Sequence, residues 1–312
     1  MNSHEFLAAN APAPIATPAP SVAAARAALE TAGRDLAAIP DATLEQTWRW
    51  RDRDADVRYG LFRVLESVEG ATAEVAAILS ATEARPAAAA LRIAPSTVAR
   101  WSLHGRLMGL DDSWLDRVGK EGEWTIRETL AHIVGGQRGY VTYNAWYLVR
   151  SSDERPTDAE RAALDAEAGL PEEVEEGMGT LAEIRARLDD TYDEGAAYLG
   201  AIPDADLRHR AWWSGIPVDL EFRLGRLSSH TVEHTIQVDK TLSWLDYQPT
   251  EAQRIVGDVY SAWGRLEARV FPIDPGALAK QDDAGRSVDS VLATLATQIV
   301  ADAKSTSAAA AA

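Results

Sequence analysis

The stretch that decides the fold lies at 220–242 and reads LEFRLGRLSSHTVEHTIQVDKTL. Its leucines and valine recur at spacings of three, four and eleven residues, all of which return to the same side of an α-helix. The apolar stripe consists of Leu220, Leu224, Leu227, Val238 and Leu242. His230 and His234 lie at its flank, four residues apart, so their imidazole rings can face one point near the edge of a helical bundle.

Similar periodicity recurs along most of the chain. It predicts further helices over 21–38, 57–79, 96–109, 124–149, 180–200 and 251–270, while sustained strand-like alternation is scarce. Pro86 and Pro95 complicate the start of the 96–109 helix, because proline removes a backbone donor. The acidic segment 153–179 contains several helix breakers and is predicted to be a long crossover with a short helix inside. The predicted fold class is all-α.

Both ends of the chain are predicted to lack a packed structure. Residues 1–20 contain four prolines among alanine, threonine and asparagine, and the segment after Lys304 is rich in serine and alanine. We therefore expect a disordered lead-in at 1–20 and a weakly structured tail at 276–312. Between them we place an N-terminal helical hairpin at 21–85, a four-helix bundle at 86–250 and a C-terminal helix at 251–275.

The composition excludes several classes of function. The chain has 31 Lys and Arg against 48 Asp and Glu, and a net charge of −17 disfavours binding to nucleic acid or to anionic membranes. Cysteine is absent, so any thiol chemistry must use a thiol from outside the chain. We found neither an apolar run long enough to cross a bilayer nor a secretory signal pattern, and therefore expect a cytoplasmic location.

The chain also contains an internal repeat. Ala38-Ile-Pro-Asp-Ala42 recurs as Ala201-Ile-Pro-Asp-Ala205, and further residues match at the same offset of 163 positions, including Trp50 with Trp213 and Arg63 with Arg226. A duplication or two similar helix connections would explain the repeat, and the gap-free matches favour duplication. The first copy has Ser67 and Ala71 in place of the two histidines, so we expect no second metal site there.

A third histidine, His132, lies on the predicted 124–149 helix. It projects away from the apolar stripe of that helix and close to small residues such as Gly136, which leaves room for a ligand. Taken alone, His230 and His234 are more typical of a surface or capping pair, and His132 would be expected to pair with a carboxylate such as Glu128. If the three imidazoles meet, they form a site for one divalent metal ion with an open coordination position.

Two motifs carry a resemblance to a known family. They are Trp124-Thr-Ile-Arg-Glu-Thr-Leu-Ala-His132-Ile and, much later, His230-Thr-Val-Glu-His234-Thr-Ile-Gln237. These motifs resemble those of the DinB-like family, which includes mycothiol-dependent maleylpyruvate isomerases and bacillithiol transferases. The resemblance covers roughly residues 90–247 and implies a DinB-like four-helix bundle with the metal ligands His132, His230 and His234.

The resemblance further implies a thiol-dependent S-transferase or isomerase, in which the metal holds a low-molecular-weight thiol against a small-molecule substrate. Zinc is the first choice, and nickel or iron also suit imidazole ligands. Gln237, Arg226 and Tyr143 are candidates to support a ligand or to line the substrate cleft. No catalytic residue is assigned, and a homodimer is compatible with the sequence.

Three alternatives remain open. The first is a non-catalytic metal-binding or stress-related helical bundle. The second is an ergothioneine-type sulfoxide synthase, whose N-terminal domain is similar and uses iron; the chain after Trp263 is expected to be too short for its second, mixed α/β domain. The third is a helical interaction module in which the histidines have no function.

Overall fold

The computed structural model describes residues 2–15, 18–271 and 273–312. It confirms the all-α fold class, because the strands in those ranges form only two short antiparallel pairs. The helices are α1 (Ser3–Asn10), α2 (Pro20–Ala37), α3 (Val57–Ala81), α4 (Ala88–Leu107), α5 (Ile126–Val149), α6 (Asp158–Ala168), α7 (Glu173–Glu176), α8 (Leu181–Leu199), α9 (Leu220–Trp244), α10 (Glu251–Val270), α11 (Pro275–Leu278) and α12 (Val288–Ala310). The strands are β1 (Thr47–Trp50), β2 (Arg53–Asp56), β3 (Arg210–Trp213) and β4 (Ile216–Asp219). Within the described ranges, no helix combines the length and apolar character needed to cross a membrane.

The chain divides into two compact units. The first comprises residues 1–17, 86–99 and 111–246, and the second comprises 18–85, 100–110 and 247–312. In the first unit α5 packs against α8 and α9. The apolar stripe predicted on α9 is confirmed, since Leu220, Leu224, Leu227, Val238 and Leu242 are all buried. In the second unit α12 packs against α2 and α3, and α10 packs against α3.

The two ends of the chain are more ordered than the sequence indicated. Residues 3–10 form α1, which begins with a capping box between Asn2 and Glu5 and buries Phe6 and Leu7, so the predicted disorder at 1–20 is wrong there. Met1, Ala16 and Thr17 lie outside the described residues. The predicted weak structure at 276–312 is also wrong, because α12 occupies 288–310 and its aliphatic stripe is buried in the second unit.

Two smaller corrections concern local structure. The helix predicted at 96–109 begins earlier, at Ala88, and continues through Pro95, since buried residues on both sides of the proline hold it in place. The segments before α3 and α9, for which no strand was predicted, are β-hairpins, β1–β2 and β3–β4. Each of their strands has only four residues, which is too short for a clear alternating pattern.

The internal repeat extends to the structure. Both copies consist of a 3₁₀ turn, a hairpin of two four-residue strands and a helix of 25 residues, with the strands and helices at the same offset of 163 positions. Arg51 and Ser214, at equivalent turn positions, have φ angles of 57° and 48°. In both copies an arginine of the helix lies over the last tryptophan of the first strand, 4.7 Å from the ring centroid for Arg63 and 4.8 Å for Arg226.

A buried carboxylate anchors the second unit. Glu267 is fully buried and accepts hydrogen bonds from Arg26 at 2.7 and 2.8 Å, from Trp101 at 3.0 Å, from Trp263 at 2.8 Å and from Arg100. Two guanidinium groups and two indole N–H groups thus depend on one side chain. Its removal would leave two largely buried cations without their carboxylate.

We therefore predict that Glu267→Ala lowers the free energy of unfolding by about 3–5 kcal/mol, the range for breaking a buried ion pair. Urea titration followed by circular dichroism measures the change. Glu69→Ala is the matched control, because the Glu69 side chain is 57% exposed and lies 3.5 Å from Arg265. Equal losses in the two variants would contradict the assigned role of Glu267.

Candidate metal centre

Two of the three histidines come from α9. Asp219 caps the helix by accepting a hydrogen bond from the backbone N–H of Phe222, at 2.9 Å. His230 and His234 follow on the side of α9 that meets α5, with ring centroids 4.5 Å apart. His230 is buried and His234 is half-buried, so the pair lies at the edge of the bundle as the spacing predicted.

The third histidine, His132, comes from α5. A capping box between Thr125 and Glu128 starts this helix and thereby fixes the turn on which His132 lies. Its Nε2 lies 3.3 Å from Nε2 of His230, and its ring centroid is 4.5 Å from that of His234. One nitrogen from each of the three rings falls within 4.8 Å of the other two. The three residues can therefore hold one metal ion.

Polar contacts behind the rings set the direction of the nitrogens. Nδ1 of His132 lies 2.9 Å from Oε2 of Glu173, and Nδ1 of His234 lies 2.9 Å from Oε1 of Gln237. Because these oxygens accept hydrogen bonds, Nδ1 is the donor in both contacts, and in the neutral tautomer Nε2 is then the nitrogen that can bind a metal. His132 thus contacts a carboxylate as expected, but the partner is Glu173 and not Glu128, which caps α5. Glu173 lies on α7 in an acidic run without periodicity, so no pattern in the sequence indicated this contact.

Burial keeps His230 neutral. Desolvation, followed by the neighbouring His234, His132 and Arg226, lowers the pKa of His230 from 6.5 to about 3. A neutral imidazole has one unprotonated nitrogen, which is the form that binds metals. The Nδ1 atom of His230 is buried without a hydrogen-bond partner in the described part of the chain.

Aromatic rings and one glycine surround the cluster. The Trp124 ring lies 5.0 Å from His132 and stacks at 6.3 Å on His234, and Tyr140 lies 5.4 Å from His230. At Gly136 a β-carbon would overlap with Cε1 of His230 and lie 3.1 Å from its Nε2. The small residue noted in the sequence therefore provides the space that His230 itself fills.

The other candidate residues have different surroundings. Gln237 contacts His234, as expected for a residue that supports a ligand. The guanidinium of Arg226 donates a hydrogen bond to Ser229 at 2.9 Å and lies 3.5 Å from the carboxylate of Glu233. These two contacts already occupy part of its hydrogen-bonding capacity. Tyr143 donates a hydrogen bond to Asp165 at 3.0 Å and lines a separate cavity with Arg223.

We predict that Gly136→Ala displaces the His230 ring and lowers the free energy of unfolding by about 1–3 kcal/mol, the usual cost of overpacking. Gly139→Ala on the same helix is the matched control, because nothing lies within 4 Å of a β-carbon there. Chemical denaturation measures stability, and the NMR shifts of the histidine ring report the displacement. A Gly136→Ala variant as stable as the Gly139→Ala variant would disprove the tight contact.

Comparison with known proteins identifies the part of the chain that carries the cluster. Residues 97–238 match the family model of the DinB superfamily, and this range includes all three histidines. No curated protein and no solved structure matches the chain. The family resemblance drawn from the two histidine motifs is thereby confirmed over residues 97–238, the part of this all-α chain that matches the DinB superfamily.

Proposed function

We propose that His132, His230 and His234 bind one divalent metal ion, and that the resulting centre catalyses a thiol-dependent S-transfer or isomerisation. The observation that carries the proposal is the convergence of three imidazole nitrogens within 4.8 Å of one another in the DinB region. The metal would be zinc by preference, and nickel or iron would suit the same ligands.

The spacing of the nitrogens supports metal binding. Tetrahedral zinc with Zn–N bonds of 2.0–2.1 Å requires nitrogens about 3.3 Å apart. The Nε2 atoms of His132 and His230 are 3.3 Å apart. The hydrogen bonds to Glu173 and Gln237 hold the rings in this orientation before any ion arrives.

The number of ligands supports catalysis rather than a purely structural role. Structural zinc sites are closed by four protein ligands, whereas catalytic sites have three and leave one position for water or substrate. The only groups in the described residues that fit a shared metal site here are the three imidazoles. Trp124 packs against His132 and His234 from one side.

The absence of cysteine bears on the reaction. A bound divalent metal lowers the pKa of a thiol and favours the thiolate, which is the nucleophilic form. This chain has no thiol of its own, so the thiol must be a separate small molecule. The role of the chain is to orient the three imidazoles and to keep His230 neutral by burial.

We expect the untagged protein to contain about one divalent metal ion per chain, as a three-histidine site requires. Mass spectrometry of the metals should show at least tenfold less metal in the variant His132→Ala, His230→Ala, His234→Ala. His209→Ala serves as the control, since it removes a histidine outside the cluster. Full metal content in the triple variant would disprove the site.

For the reaction, we expect the metal-loaded protein to accelerate the loss of free thiol when mycothiol, bacillithiol or cysteine is mixed with an electrophile such as 1-chloro-2,4-dinitrobenzene. The acceleration should disappear after removal of the metal and return when zinc is added. A metal-loaded protein without activity towards the whole panel would instead support a non-catalytic metal-binding bundle.

A further inference from the structure

The first unit contains a cavity whose lining includes none of the three histidines. Its volume is about 270 Å³, and three arginines and three aromatic residues contribute most of its lining: Arg155, Arg161, Arg223, Tyr143, Tyr147 and Trp212. The volume lies just below the usual range for drug-sized ligands, so the cavity suits a small molecule.

Arg223 is the unusual member of this set. It is only 5% exposed, yet it makes no ion pair within the described chain. Its Nε donates to Oδ1 of Asn144 at 2.7 Å and its Nη1 donates to the backbone carbonyl of Trp212, which leaves Nη2 without a partner in the same residues. By contrast, the buried Arg100 pairs with Glu267. A buried cation without a carboxylate is costly unless a ligand supplies one.

A second arginine is also without a carboxylate. Arg155 is exposed and forms no ion pair with any described residue, and its guanidinium lies beside Gly215 at the cavity. Arg161 differs, because it pairs with Asp158. Two uncompensated guanidinium groups thus face one cavity in a chain whose net charge is −17. This local excess of positive charge favours an anion.

The remaining walls are aromatic and neutral. Burial raises the pKa of both Tyr143 and Tyr147, so their phenols carry no charge at neutral pH. Cζ of Arg223 lies 4.9 Å from the ring centroid of Tyr147, within the distance of a cation–π contact. Flat aromatic walls fit a planar ligand better than a tetrahedral one.

We infer that this cavity is a binding site for a small planar carboxylate, held by Arg155 and Arg223. A guanidinium donates two parallel hydrogen bonds to a carboxylate, which is the geometry that arginine provides and lysine does not. Arg223 and His230 are seven residues apart on α9, so the bound carboxylate would lie about 10 Å along the helix from the histidines. The inference does not rest on metal binding.

Isothermal titration with benzoate, acetate and inorganic phosphate tests the site. We expect wild-type protein to bind benzoate, to bind acetate more weakly because it lacks the ring, and to bind phosphate least. Arg155→Ala should weaken benzoate binding about tenfold or more, the effect of losing a charge-assisted hydrogen bond. Arg85→Ala is the matched control, since it removes an exposed arginine remote from the cavity in sequence and should leave affinity unchanged.

Arg223→Gln should abolish benzoate binding, and circular dichroism checks that the variant is folded. Because that variant can fail to fold, the affinity of Arg155→Ala for benzoate is the measurement that tests the inference. Unchanged affinity in Arg155→Ala, no binding of benzoate, or equal binding of phosphate would each overturn the inference. Benzoate affinity should be the same in the triple histidine variant as in wild type, and a loss there would assign the ligand to the metal centre.

Discussion

The candidate centre depends on the close approach of α5 and α9. The ring of His230 occupies the space where a side chain at position 136 would lie, so the two helices can come together there only because the residue is glycine. Next to Gly136 in the chain, the buried Gln137 donates hydrogen bonds to the carbonyl of Leu227 and to the hydroxyl of Thr231, at 2.9 and 2.8 Å. These contacts fix the register in which His132 meets the pair on α9.

Much of this arrangement was readable in the sequence. The apolar stripe of α9, the four-residue spacing of its histidines and the helix around His132 are local patterns with a fixed period, and these predict helices and faces well. Glu173 was not predictable, because it reaches His132 from another segment, 41 residues further along the chain, through a contact that no periodicity encodes. The short hairpins were missed because four-residue strands depend on tertiary packing for their order. In α12, by contrast, Val288, Leu292, Leu295 and Ile299 do recur at helical spacing, and the Ser-Ala-rich end of the chain obscured that pattern.

The repeat separates the scaffold from the chemistry. Both copies keep the aspartate cap, the hairpin register and the arginine over tryptophan, whereas Ser67 and Ala71 stand where the other copy has His230 and His234. Caps and hairpins are needed wherever this helix connection is built. Imidazoles are needed only where a ligand binds. The shared features therefore report on folding, and the differences between the copies report on function.

His132 and His234 are each oriented by a second residue, but the two supporting residues lie in different parts of the fold. Gln237 belongs to the same helix as His234 and moves with it, while Glu173 lies on the four-residue α7, within the crossover, and its side chain is 52% exposed. A substitution at the exposed Glu173 would remove the support of His132 without touching the buried apolar stripe of α9. Mutations in an exposed segment can therefore change how firmly His132 is held as a ligand, while His234 on α9 keeps its own support.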